Sequence, residues 1–187
     1  MRLFVAINFN DKTRAQLLAL RDELCACSKG GNFSRENNLH LTLAFLGECD
    51  EKKTAAARAA LDLLNFEPFH IDIECVGRFK REGGDIWWAG VQKSKQLLDL
   101  QSELANLLSA AGFCLDGGKY TPHITLGREV ITDALPFSVA PFGEKVSGID
   151  LMKSERIKGN LSYTAIHRKT QKNINSIDNR KEKDKES

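Results

Sequence analysis

Two short segments of this 187-residue chain carry the same polar pair on the same apolar frame: His40 and Thr42 in HLTLAFLGE, and His123 and Thr125 in YTPHITLGRE. Successive side chains of a β-strand alternate faces, so a His and a Thr two positions apart project together, about 6.6 Å apart along the strand. Leu41, Leu43, Ile124 and Leu126 then point the other way, giving each strand an apolar side for a core and a His/Thr side for a wet cleft. The chain holds four histidines. His70 falls on the polar side of an alternating segment and is read as solvated, and His167 is placed at the frayed end of the last strand. Repetition about half a chain apart marks the other two as parts of a duplicated unit.

Two such pairs facing each other suit displacement at phosphorus. The attacking and leaving oxygens lie roughly in line there, so one group takes a proton on one side while another gives one on the opposite side. Histidine suits both roles: an unperturbed pKa near 6.5 lets one ring be neutral and the other protonated, and each transfer contributes about 10²–10⁴-fold. The Thr42 and Thr125 hydroxyls can donate to the non-bridging oxygens. Hydroxyls alone match the transition-state charge poorly, so a cation should stand nearby. Arg128, five residues after His123, and Arg35, five before His40, are the candidates. On a regular strand Arg128 has the wrong parity for the His123 face, and a bulge or turn at Gly127 is needed to re-aim it. Zinc catalysis would need a third protein ligand that neither motif supplies, and no GxxxxGKS/T or GxGxxG phosphate cradle is present. A Cys–His or Ser–His nucleophile pair stays open, but it leaves the duplicated threonines without a purpose. The expectation is chemistry with no metal and no cofactor.

The elements that must position these residues are legible in outline. Arg2 to Asn8 reads as a strand, and Asn10 as the cap of a helix to about Cys27, with Leu17, Leu20, Leu24 and Cys27 as its stripe and Gly30-Gly31 as its stop. The first His/Thr strand stops at Gly47. Asp50 caps a second helix, from about Glu51 to Leu64, and Phe69 to Cys75 alternates as a strand. The charged segment Arg78 to Asp85 reads as a loop into the strand IWWAGV, where at most one of Trp87 and Trp88 can line a given cleft. Ser94 caps a third helix with an apolar face of Leu97, Leu100, Leu104, Leu107, Leu108 and Ala111, ended by Gly112. Further strands are expected around Phe137 to Ala140, Val146 to Met152 and Leu161 to Ile166, separated by Pro141, Gly143, Lys158 and Gly159. The compact solution is an α+β, bilobal, pseudo-two-fold fold, with sheets from both lobes lining a central cleft and helices outside. Residues 1–169 form that single domain, and the polar, charge-mixed residues 170–187 read as a disordered tail.

Composition narrows the setting more than the chemistry. A formal charge of +2 is nearly silent about partners. Five irregularly spaced cysteines resemble neither a disulfide framework nor paired zinc knuckles, so a reducing, cytoplasmic setting is expected. No apolar run is long enough to span a bilayer, and the opening MRLFVAINF lacks a signal-peptide apolar region. A monomer without membrane contact is expected.

The paired HLTL and HITL motifs, the opening RLFVAI, the NNLHLTLAFLGE and YTPHITLGRE contexts and the closing DLMKSERIKGNLSYTAI resemble the two-histidine (2H) phosphoesterase superfamily. Within it the chain is most similar to the bacterial and archaeal RNA 2′,3′-cyclic phosphodiesterases, also called 2′-5′ RNA ligase-like proteins. The resemblance spans about residues 1 to 168. It implies metal-independent hydrolysis of an RNA or nucleotide 2′,3′-cyclic phosphate to a 2′-phosphate. By the family pattern His40 protonates the departing 3′ oxygen, His123 activates water, and Thr42, Thr125 and Arg128 bind substrate. Tyr120 stands where relatives often carry Phe, a place compatible with base stacking. Rival readings are 2′-5′ RNA ligation, another cyclic or linear 2′ linkage, and a noncatalytic RNA- or nucleotide-binding module. A binding module would not require two proton-transfer groups.

Overall fold

A computed structural model describes residues 1–115 and 117–171. Among these, three α-helices and nine strands follow in the order β1 (Arg2–Asn8), α1 (Asp11–Ala26), β2 (Ser28–Phe33), β3 (His40–Glu48), α2 (Glu51–Leu63), β4 (Phe69–Phe79), β5 (Asp85–Val91), α3 (Lys95–Ala110), β6 (His123–Thr132), β7 (Phe137–Val146), β8 (Gly148–Ile157) and β9 (Asn160–Thr170), with a single 3-10 turn, Glu36–Asn38, between β2 and β3. Each α-helix starts at the expected cap. Asn10 accepts from the Thr13 amide at 2.9 Å, Asp50 from Lys53 at 2.7 Å and Ser94 from Leu97 at 3.2 Å. Such a cap contributes about 1 kcal/mol by satisfying an orphan donor of the first turn.

The strands form two antiparallel sheets, one in the order β3-β1-β8-β9 and the other β2-β6-β5-β4-β7. Each sheet holds one His/Thr strand, as a bilobal fold requires. The lobes are not chain halves, however: the first sheet joins the amino-terminal β1 and β3 to the carboxy-terminal β8 and β9. Leu41 and Leu43 of β3 and Ile124 and Leu126 of β6 enter one continuous apolar core, with Leu61 of α2 and Leu104 of α3. Burying a leucine-sized side chain contributes roughly 1.5–3 kcal/mol, so these strands are pinned by the faces that carry no chemistry.

Four local expectations are corrected. The first helix stops at Ala26 with Cys27 as its cap, and Gly30-Gly31 belongs to β2, which pairs with β6. A Cβ on Gly31 would stand 3.0 Å from both Cα and Cγ2 of Val130, so close strand approach, not a helix stop, uses that glycine. The charged stretch after Cys75 is not all loop. β4 continues to Phe79 because Arg78 and Phe79 pair with Trp87 and Ile86 of β5, and Arg78 bonds Asp85 at 3.2 Å. Pro141 and Gly143 do not break β7, an edge strand whose irregular pairing with β4 tolerates a missing amide. The last strand does not fray at His167, which pairs with Leu151 and bonds Asp62 at 2.8 Å. Lys158 and Gly159 do turn the chain as expected, both with positive φ, 50° and 80°.

Of residues 170–187, Thr170 ends β9 and the Gln171 amide donates to Ser147 at 2.8 Å. The remainder of the expected disordered tail, 172–187, lies outside the described residues. Among the described residues no helix is long and apolar enough to cross a membrane.

Candidate active site

His40 and His123 enter one cleft of about 850 Å³ from different sheets, together with Thr42, Thr125, Arg128 and Arg35. Their rings are anchored by one device used twice. His40 Nδ1 lies 2.8 Å from the Asn38 carbonyl, and His123 Nδ1 lies 2.7 Å from the Thr121 carbonyl, two residues upstream in each case. A carbonyl only accepts, so each Nδ1 carries the hydrogen and each Nε2 is left for proton exchange. His40 Nε2 also stands 3.0 Å from Thr42 Oγ1, which donates to it while the ring is neutral.

Aromatic rings hold both imidazoles on edge. Tyr163 meets His40 at 5.1 Å and 89°, with Phe4 tilted against the same ring at 4.9 Å. Phe79 meets His123 at 5.2 Å and 90°, with Trp88 at 6.3 Å. Of the two tryptophans, Trp87 is fully buried, so the opposed facing expected of neighbours in a strand holds. Phe79 was missed because the segment around it reads as charged loop. Phe4 and Tyr163 were missed because they become neighbours of His40 only through pairing of β1 with β3 and of β8 with β9.

The parity obstacle to Arg128 is removed by a bulge. Trp88 pairs with Thr125 and Trp87 with Gly127, so Leu126 is the extra residue. Leu126 and Gly127 are both buried, and Arg128 emerges on the side of His123 and Thr125. A Cβ on Gly127 would fall 2.8 Å from Val130 Cγ2 and 3.1 Å from Phe33, which explains the glycine. The first motif repeats the device. Val5 pairs with Ala44 and Ala6 with Thr42, which makes Leu43 the extra residue and turns Phe45 into the cleft. Phe45 stands five residues after His40, as Arg128 stands five after His123.

Burial holds the His40 pKa down to about 4; the Asn38 carbonyl opposes this, while Arg128 and His123 add to it. His40 is therefore neutral at rest near pH 7. The Tyr163 phenol is raised by burial, against the pull of Arg128 and Arg2. Arg35 reaches the cleft but is bonded to Asn160 Oδ1 at 2.6 Å. Tyr120 is not in the cleft wall: it packs on the core and donates to the Thr42 carbonyl at 3.1 Å, a place unsuited to base stacking. His70 is exposed beside Asp72, away from the cleft. Among the described residues no three His, Cys, Asp or Glu side chains converge as a metal site would require.

A sequence model of the 2′-5′ RNA ligase superfamily matches residues 9–142. The chain is 37% identical over 131 residues to an RNA 2′,3′-cyclic phosphodiesterase of Thermotoga maritima, covering 68% of this chain and 70% of the relative. It is 35% identical over 151 residues to an RNA 2′,3′-cyclic phosphodiesterase of Archaeoglobus fulgidus, covering 77% and 85%. Among solved structures it is similar to a protein of Thermus thermophilus, with a TM-score of 0.78 at 26% identity over 91% of this chain and 97% of the other. It is also similar to E. coli LigT complexed with 3′-AMP, with a TM-score of 0.76 at 27% identity over 90% and 96%.

Proposed function

The chain belongs to the 2′-5′ RNA ligase superfamily, and from that premise we propose that it hydrolyses RNA 2′,3′-cyclic phosphate ends to 2′-phosphates by two-histidine acid/base catalysis without a metal. The observation that carries this reading is the matched anchoring of the two rings. Each Nδ1–H is committed to a main-chain carbonyl, and each Nε2 faces the shared cleft, that of His40 accepting from the Thr42 hydroxyl at rest.

In the proposed cycle the cyclic phosphate sits between the sheets, with Thr42, Thr125 and Arg128 donating to its non-bridging oxygens. His123 Nε2 takes a proton from water as the water oxygen bonds to phosphorus. The bond from phosphorus to the 3′ oxygen breaks, and His40 Nε2–H delivers its proton to that oxygen, leaving a 3′-hydroxyl and a 2′-phosphate. The cycle closes by proton exchange with solvent. His40 is neutral in the resting cleft, so the anionic substrate also has to charge its own acid. The negative phosphate opposes the repulsion from Arg128 and His123 and favours the imidazolium that must donate. The Thr42 hydroxyl, which donates to Nε2 at rest, is then released toward the phosphate.

Exposed Cys25, Cys27 and Cys114 are free thiols, which suits the cytoplasm. The deciding experiment incubates the protein with a 2′,3′-cyclic mononucleotide and a short cyclic-ended RNA in EDTA, with the product assigned by phosphorus NMR. A 2′-phosphate at an undiminished rate is expected. A 3′-phosphate product overturns the regiochemistry, and activity lost to EDTA and restored by zinc overturns the acid/base mechanism.

A further inference from the structure

The two carbonyls that anchor the histidine rings are themselves held by different means. Behind His123, the carbonyl of Thr121 belongs to the peptide that joins it to Pro122. A proline ring fixes its own φ and confines the residue before it to extended backbone. Pro122 is buried besides, and its carbonyl accepts from the Val91 amide at 3.3 Å. No proline does this behind His40. Asn38 closes the single 3-10 turn Glu36–Asn38, and such a turn has poorer hydrogen-bond geometry than an α-helix. The peptide that carries the Asn38 carbonyl is tied on its amide side by a bond from Leu39 to the Glu36 carbonyl, at 3.2 Å the long end of the normal range.

What the turn lacks, the Asn38 side chain supplies. Its Nδ2 donates to the main-chain carbonyl of Leu161 at 3.0 Å, near the start of β9. Beside it, Arg35 donates to Asn160 Oδ1 at 2.6 Å. These bonds fasten the segment before β3 to the tip of the β8–β9 hairpin. Apolar packing adds little there: Ile157 and Leu161 are 50% and 43% exposed, and an open cavity of about 450 Å³ lies between the tip and the turn. Two residues beyond Leu161 on the same strand, Tyr163 sets its ring edge against His40 at 5.1 Å and 89°. One end of β9 therefore touches the imidazole directly and, through Asn38, holds the carbonyl that orients it.

We propose that Asn38 is a positioning residue for His40: with its side chain fastened to the β8–β9 hairpin, it keeps its own carbonyl on Nδ1–H and so keeps Nε2 aimed at the leaving 3′ oxygen. This rests on the reading of His40 as the acid of a cyclic phosphodiesterase. A neutral imidazole carries its hydrogen on either nitrogen, and the partner of one nitrogen decides which. With the carbonyl loose, the hydrogen is no longer confined to Nδ1 and the ring is free to turn. A displacement of about 1 Å can cost about 10²-fold in rate. Asn38 acts through His40 in this role, so its loss weakens proton delivery and not the hold on the phosphate.

The test uses the full chain and its Asn38→Ala, Asn38→Leu and Asn38→Gln variants, on a 2′,3′-cyclic mononucleotide and on its analogue with sulfur at the 3′ position. The thiolate expelled from the analogue has little need of a proton. On the oxygen substrate Asn38→Ala should lose about 10- to 100-fold in kcat with KM within twofold, and on the sulfur substrate the loss should shrink to within about threefold. Equal losses on the two substrates, or no loss on either, overturn the positioning of the acid. Asn38→Gln keeps an amide donor and should recover most of the rate, whereas Asn38→Leu keeps the size without the donor and should not; equal rates in these two overturn the role of the bond to Leu161. Nitrogen NMR of the free protein is read alongside. The hydrogen of neutral His40 should sit on Nδ1 in the native chain and be shared with Nε2 in Asn38→Ala and Asn38→Leu, and an unchanged distribution overturns the proposal even where kcat falls. If the native chain turns over neither substrate and the distribution still shifts, the proposed reaction fails and the positioning stands.

Discussion

The Tyr120 hydroxyl donates to the main-chain carbonyl of Thr42 at 3.1 Å, so the segment leading into the second histidine strand is fastened to the first. The tie is reciprocal. Ser34, in the segment leading to His40, donates through Oγ to the Thr125 carbonyl at 2.7 Å and through its amide to Leu126 at 2.8 Å. The spacing of the two threonines is thereby set by bonds crossing between the histidine strands, not only by packing of the lobes.

Removing one tie should alter turnover more than binding. Tyr120→Phe deletes a hydrogen bond with a net value of about 0.5–1.5 kcal/mol. Melting should fall by about 2–4 °C per kcal/mol in a protein of this size. A drop in kcat of about 3- to 10-fold with KM within twofold is the expected signature. A lower melting temperature with unchanged kcat would leave the tie a purely structural contact.

The two histidines should separate by leaving group. Either alanine variant should lose at least about 10²-fold, the lower range for a single proton transfer. A cyclic substrate with sulfur at the 3′ position expels a thiolate, which needs no proton at neutral pH to the extent that an alkoxide does. It should restore His40→Ala to within about tenfold and leave His123→Ala impaired. Rescue of His123→Ala instead would exchange the roles, an order that the neutral resting state of His40 makes worth testing.

The pH behaviour of His40 has a definite sign. Proton NMR of the free protein should show its ring titrating near 4. Inorganic phosphate should raise the midpoint, and so should Arg128→Ala, because Arg128 disfavours the cation. An unfolded histidine titrates near 6.5. Between 6.5 and about 4 the unfolded chain binds more protons at this site, so the stability that neutral His40 contributes is complete above 6.5 and is lost as pH falls through that window. Denaturant midpoints at pH 4.5 and 7 should therefore differ less in His40→Gln than in the native chain; equal differences would show that the site does not drive the loss.

Gly127→Ala should be harmful although φ at Gly127 is not positive, so the backbone accepts any residue. The added Cβ meets Val130 and Phe33, and overpacking of this kind costs about 1–3 kcal/mol. Repacking there should also shift Arg128, its neighbour. A kcat/KM loss approaching that of Arg128→Ala, about 10- to 100-fold for a charge-assisted contact, is expected. Full activity would mean that Arg128 does not depend on the bulge.

By itself the sequence determined the helix starts, the two His/Thr strands and the faces they bury. Those features are local: an Asn, Asp or Ser at each cap, alternation in HLTL and HITL, and leucines in periodic stripes. What encloses the histidines depended on pairings between distant segments. Phe4, Phe79 and Tyr163 reach the imidazoles only because β1 joins β3, β4 joins β5, and β8 joins β9. The same limit applied to the bulges at Leu43 and Leu126, which reverse the parity a regular strand would impose and aim Phe45 and Arg128 into the cleft. A bulge is fixed by the register of the partner strand and by room beneath the chain, here the small Ala44 and Gly127 at matching positions. Local periodicity carries neither quantity, and only the assembled sheets supply both.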